Sequence, residues 1–333
     1  MMLIAKEKKM IRDDLITLNE ARNVTARAVA KTEALRQSGC FVVVDLSGDP
    51  VAVRRMDATG GGAYDIVRGK ALGAALLSEA SSSFAARVLK FPPQIFAAYQ
   101  QLMRSQPFPG AGAVPLVRNQ IAVGAISTGV RIGPFVRLPG VGAEELLVDG
   151  QPANLEDLII SYAVGGSYRP EHGDDMARWV EAYGAPPDSA LKGNGLREVP
   201  LATRQPVLDS AAALADGVIA RANEYGEAVA VVVADRYGHV VTVDRMDGAP
   251  PAAVRLAEGV ALTASALQTR TAELSESTPS IPADVLRAIG KHLIPLAGGS
   301  PIFSNGQCVG AVGVAGRDPG LAQRLADQAA LAH

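Results

Sequence analysis

The chain has 333 residues, 48% of them hydrophobic and 20% charged, with a formal net charge of −2. That length and composition fit two globular domains of ordinary size, each with its own core, and exclude a disordered chain. A charge so near neutral supplies no field for nucleic acid or for an anionic membrane surface.

The charge is unevenly spread. Through Val164 there are 18 basic against 15 acidic residues, and beyond it 14 against 19. That asymmetry favours a small anionic ligand in the first half over a polyanion. Cys40 and Cys308 stand in apolar, strand-like runs without metal-ligand spacing, and read as buried reduced thiols. No histidine pair has zinc-site spacing either, so no metal is expected. The opening residues lack an apolar core of signal-peptide length, and no apolar run approaches the roughly 20 residues that cross a bilayer. The expectation is a cytoplasmic protein with no membrane or nucleic-acid partner.

Thr17-Leu18-Asn19-Glu20 forms a capping box and predicts a helix running to about Ser38. Phe41 to Val44, the turn Ser47-Gly48-Asp49 and Val51 to Val53 predict a hairpin. Gly60-Gly61-Gly62 precedes an Ala-rich helix from about Ala63 to Glu79, followed by a helical stretch from about Pro93 to Met103. A second hairpin (Val114 to Val117, Ile121 to Ser127) and a helix from Leu155 to Ala163 close the unit.

The same order then recurs. A helix from about Val207 to Tyr225 leads to a hairpin of Val229 to Ala234 and Val240 to Val243. A helix from Ala252 to Leu267, a hairpin around Asn305-Gly306 and a final helix from about Leu321 follow. Val-x-Arg-Met-Asp appears in both units, at Val53 to Asp57 and at Val243 to Asp247, 190 residues apart. Asp45 and Asp235 stand upstream at the same offset. In the closing hairpins the offset falls to 186, from Pro115 to Pro301. The chain is a tandem duplication, with repeat one over residues 15–164, a linker over 165–200 and repeat two over 201–333. Antiparallel hairpins with flanking helices make each unit α+β. Two stretches break the symmetry: the Gly- and Pro-rich Thr128 to Pro152, which contains Arg131, and the linker, which contains Trp179 in an expected short helix.

Strand alternation puts Arg55 and Asp57 on one face and Met56 on the other, and likewise Arg245 and Asp247. Such a pair is either a structural ion pair or an anion-gripping guanidinium oriented by its carboxylate. Lys70 falls on the helical stripe Ala63, Ile66, Val67, Lys70, Ala71, Ala74 that should face the sheet, whereas its counterpart is Val260. A buried ammonium needs a partner. Asp45, Asp57 or a bound anion are the candidates, and a desolvated lysine suits general-base or electrostatic work. Lys70 and Asp57 are therefore the catalytic candidates, in repeat one. Gly61, Gly62 and Gly112, in glycine clusters ahead of a helix or hairpin, offer backbone N–H groups to an anion. Arg55, Arg131, Arg245 and His239, the last at the mouth of a hairpin, complete the ligand-binding candidates.

These residues resemble the GlcG/HbpS-like family, also called the haem-degrading domain family, which includes the C-terminal part of PduO-type proteins. The resemblance is carried by Val42-Val43-Val44-Asp45 with Gly48, Arg55-Met56-Asp57, Lys70-Ala71, and Pro115 with Gly124-Ala125-Ile126. In the second unit it is carried by Val231 to Asp235 with Gly238-His239, by Arg245 to Pro250, by Gly298 to Ile302 and by Val309 to Val314. It implies two tandem profilin-like layered domains that pair inside one chain as a pseudo-dimer, and homo-oligomeric assembly. It also implies binding of haem or another tetrapyrrole, or a link to organic-acid catabolism. Two departures stand out: Val260 replaces the family lysine in repeat two, and repeat one has no internal histidine. The cofactor thus stays unknown, with haem possible but lacking a clear axial ligand. Two functions remain open: binding of a small anionic molecule in repeat one, or a cofactor-independent catabolic enzyme using Lys70 and Arg55.

Overall fold

The computed structural model describes residues 15–35, 37–88, 90–102, 106–118, 121–130, 146–148, 151–152, 155–165, 178–179, 191–193, 206–277 and 293–332. Repeat one contributes α1 (Leu18–Ala34), β1 (Gly39–Val44), β2 (Pro50–Arg55), α2 (Ala63–Leu77), α3 (Ser81–Val88), α4 (Pro93–Leu102), β3 (Ala113–Arg118) and β4 (Ile121–Val130). The short β5 (Leu146–Val148) and β6 (Gln151–Pro152) then precede α5 (Leu155–Ala163). Next come β7 (Arg178–Trp179) and β8 (Leu191–Gly193). Repeat two contributes α6 (Pro206–Glu224), β9 (Ala230–Asp235), β10 (Val240–Arg245), α7 (Ala252–Leu267), α8 (Thr271–Ser277), β11 (Gly299–Ser304), β12 (Gln307–Ala315) and α9 (Pro319–Leu331).

The two repeats share one sheet, in the order β11-β12-β9-β10-β2-β1-β4-β3-β7. Its first eight strands pair antiparallel, four from each repeat, so the fold is α+β. The seam is β2 against β10, where Arg54 faces Thr242, Val53 faces Val243 and Ala52 faces Asp244.

Side-chain alternation divides the sheet into two cores. Phe41, Val43, Val231 and Val233 point to the face covered by α1, α5, α6 and α9, while Cys40, Val42, Val44 and Val232 point to α2 and α7. Both faces are covered, which is why these antiparallel strands read as unbroken apolar runs. The Cys40 thiol lies in the second core, where burial pushes its pKa up to about 12 and keeps it protonated. α1 begins at the capping box that the sequence announces: Thr17 Oγ1 accepts from Glu20 N, and Glu20 Oε2 accepts from Thr17 N at 2.8 Å.

Three sequence expectations change. α3 and α8 were not foreseen. Trp179 lies in a two-residue strand parallel to Leu116–Val117, not in a helix. The described parts of the stretches read as loop and linker instead form β5, β6 and β8, a small separate sheet.

Candidate functional site

The duplicated motif sits at the seam and works across it. Asp45 Oδ1 accepts from Ser47 N at 2.8 Å and from Asp49 N at 3.1 Å, holding a turn in which Gly48 takes φ +79°. Asp235 Oδ1 does the same for Tyr237 N and His239 N, with Gly238 at φ +82°. Each aspartate turns its other oxygen to the opposite repeat. Arg55 Nη2 donates to Asp235 Oδ2 at 2.6 Å, and Arg245 Nη2 to Asp45 Oδ2 at 2.7 Å. Arg55 also donates through Nε to the Val240 carbonyl and through Nη1 to that of Thr59. The expected in-strand pairing with Asp57 is therefore replaced by pairing between repeats.

Asp57 caps the opposite repeat's first helix, accepting from Val207 N at 3.1 Å and Leu208 N at 3.0 Å. Asp247 reciprocates by accepting from Leu18 N at 2.9 Å. A carboxylate at a helix N-terminus meets the unpaired N–H groups and the positive end of the helix dipole. Arg245 borders a cleft of about 520 Å³ with Leu15, Ile16, Asp45 and Met246, and its buried Nη1 has no hydrogen-bond partner among the described residues.

Lys70 is buried, as its stripe requires, but its partner is neither Asp45 nor Asp57. Nζ donates to Glu156 Oε2 at 2.7 Å, to the Thr128 carbonyl at 2.6 Å and to the Ala111 carbonyl at 2.8 Å. An ammonium has three N–H donors, and all three are used. Burial pushes the Glu156 carboxyl above the usual carboxylate range, and Lys70 offsets part of that rise. Repeat two explains why valine suffices there. Gly112 N donates to Asp157 Oδ1, and Gly298 N donates to Gln323 Oε1, which makes Asp157 and Gln323 equivalent. The counterpart of Glu156 is then Ala322, so where repeat one has the Lys70–Glu156 ion pair, repeat two has the buried apolar residues Val260 and Ala322. The Lys70/Val260 difference read from the sequence therefore comes with a matching difference at the packing position of its partner. Gly112, at φ +95°, lies against Glu156 and Thr128 with no room for a side chain.

Two ligand candidates from different repeats do come together. The His239 ring lies directly over Gly61, where any Cβ would strike the imidazole. They stand at one cleft of about 450 Å³, lined also by Tyr64, Asp65, Tyr237, Arg255, Glu258, Leu262 and Ile294. That volume is in the ordinary range for small-molecule sites. The His239 side chain is half exposed, with Nδ1 3.6 Å from Asp235 Oδ2. In the cleft wall, Tyr64 Oη donates to Glu258 Oε1, and Arg68 Nη1 lies 3.5 Å from Glu258 Oε2. Burial pushes both Tyr64 and Glu258 above their usual ranges. Gly62 is the N-cap of α2 and makes no side-chain capping bond.

Tyr64, Arg68, Arg255 and Glu258 carry no motif and escaped the sequence reading. The available signal was a reversal of charge between counterparts at offset 190, Arg68 with Glu258 and Asp65 with Arg255. Arg131, His172, His292 and His333 lie outside the described residues. Among the described residues, no three His, Cys, Asp or Glu side chains converge as a metal site, and no helix is long and apolar enough to cross a membrane.

Fold and site together define an internally duplicated α+β protein, whose halves form a pseudo-dimer through a reciprocal Arg/Asp exchange and share a histidine-bearing cleft. The chain belongs to the family described as haem degrading protein HbpS-like, whose model matches residues 16–129 and 207–331. Among solved structures it is similar to ORFY of Klebsiella pneumoniae, at 32% identity over 37% of this chain and 86% of that one, with a TM-score of 0.35. It is also similar to a double mutant of HbpS from Streptomyces reticuli, at 29% identity over 44% and 98%, with the same TM-score. A complex of PduOC with heme matches at 25% identity over 40% and 96%, again at 0.35. No curated protein matches the chain.

Proposed function

We propose that this protein binds a small molecule in the cleft between repeats, with a tetrapyrrole as first candidate and a carboxylated metabolite as second. One observation carries the reading: the His239 imidazole of repeat two is held over the Gly61 backbone of repeat one at the mouth of a cleft. His239 is the only histidine among the described residues. The Asp235 carboxylate lies 3.6 Å from Nδ1, on the side of the ring away from Nε2. Leu262, Ile294 and Val240 supply apolar wall, and the exposed Arg255, which bonds Asp49 through Nε and Nη2, lies in the same lining. These residues fit a haem. His239 would hold it, and the bound iron would supply redox and ligand-binding chemistry. The site thus draws on both repeats, in place of the pocket within repeat one that the sequence suggested.

The catalytic alternative needs an available Lys70 amine or Arg55 guanidinium, and the bonds made by both groups oppose it. Titration of the purified protein with haem at micromolar concentration tests the proposal. A Soret shift that is lost in His239→Ala supports it. No shift, or one indifferent to that substitution, overturns the tetrapyrrole version. Mass spectrometry of a co-purified ligand then decides the metabolite version.

A further inference from the structure

The contacts across the seam fall into two kinds. Val53 faces Val243, its own counterpart, so a pseudo-twofold axis passes through that pair. Bonds away from the axis occur twice: Arg55 to Asp235 and Arg245 to Asp45, and the helix caps Asp57 and Asp247. A pair of identical repeats would form these bonds equally well. They hold the repeats together without choosing between partners.

Residues beside the axis meet their own counterparts, and here the repeats differ. Arg54 Nη2 donates to Asp244 Oδ1 at 2.9 Å, and Asp244 is the counterpart of Arg54. Arg68 lies against Glu258, its counterpart in turn. Two copies of repeat one would set arginine against arginine at both places, and two copies of repeat two would set aspartate against aspartate and glutamate against glutamate. A third difference lies off the axis: Arg255 Nη2 lies 3.0 Å from Asp49 Oδ1, while the counterparts Asp65 and His239 both line the cleft. In a pair of first repeats, Asp49 would face Asp65.

We infer that the face made by β2 and α2 is built to accept repeat two and to reject a second copy of repeat one. Asp244 is fully buried, and a like-charged pair there would have no solvent to screen it. The partner is thus a repeat of opposite charge at the axis, normally the other half of the same chain. The same divergence makes the two symmetry-related positions unlike, since His239 lies over Gly61 while its counterpart Asp49 is engaged by Arg255.

The test uses the full chain. Amide exchange is followed at residues 52–54 and 242–244, together with Tm, in Arg68→Ala, Arg68→Glu, Glu258→Gln and the exchanged pair Arg68→Glu/Glu258→Arg. An exposed or half-buried ion pair is worth under about 1 kcal/mol, so Arg68→Ala and Glu258→Gln should speed exchange at the seam only about two- to fivefold. Arg68→Glu adds repulsion and should speed it about tenfold, and the exchanged pair should return to within about threefold of the parent. The inference is overturned if Arg68→Glu is no worse than Arg68→Ala, or if the exchanged pair recovers nothing. Should Arg68→Glu not fold, recovery of a folded protein by the exchanged pair supports it, and failure of that pair too overturns it.

Discussion

Arg55 of repeat one donates to Asp235 of repeat two at 2.6 Å, and the counterpart bond from Arg245 to Asp45 runs the other way at 2.7 Å. Both aspartates also hold their own hairpin turns, so local turn geometry and the pairing of repeats depend on the same two carboxylates. Arg55→Ala should leave the half-buried Asp235 without its cation and cost about 2–3 kcal/mol. Urea denaturation measures it, and a loss under about 1 kcal/mol would show that the bond is dispensable.

Lys70→Val copies repeat two at one position only and strands the Glu156 carboxyl. A loss of about 3–5 kcal/mol is expected. Lys70→Val combined with Glu156→Ala reproduces the Val260–Ala322 arrangement and should recover most of that loss. A double-mutant cycle by chemical denaturation reads the coupling. Additive losses would count against the packing explanation.

Gly61→Ala places a methyl group where the His239 imidazole lies. Because that ring is half exposed, it can swing outward, and the change should cost less than about 1 kcal/mol. Haem affinity should nevertheless fall by about tenfold or more. Equal affinity in Gly61→Ala and the parent would place the ligand elsewhere.

Asp57→Ala removes an acceptor from two N–H groups at the start of α6, and Asp247→Ala removes the acceptor of Leu18 N. Losing a helix cap costs about 1 kcal/mol. Each variant should lower Tm by a few degrees without altering the Soret spectrum. If Asp57→Ala abolishes a measured turnover at unchanged stability, Asp57 is catalytic after all.

Acid should weaken the α9 end of repeat two. Burial alone would raise the Asp327 carboxyl, but hydrogen bonds from Arg270, Ser300 and Gln323 outweigh it and hold the group below its usual range. A carboxylate depressed in the folded state contributes stability that is full above about pH 4 and lost as pH falls through its folded pKa. Asp327→Asn should therefore flatten part of the decline in Tm between about pH 4 and pH 2. An identical decline in both proteins would show that Asp327 does not contribute.

The sequence by itself determined the duplication, the α+β class, the Thr17–Glu20 cap and the bounds of α5 and α7, because period, capping chemistry and turn residues are local properties. It also exposed the Arg/Asp motif and the Lys70/Val260 difference. What it could not determine was direction. Arg55 and Asp57 are two residues apart in the chain, yet each reaches the other repeat, since only the β2–β10 register decides which side chains meet. Lys70 needed a partner on any reading, but Glu156 lies 86 residues on, and only the closing of α5 over the sheet brings it within 2.7 Å. The same seam carries His239 onto Gly61 and gathers Tyr64 and Glu258 beside them. A site shared by two repeats exists only once the sheet joins them.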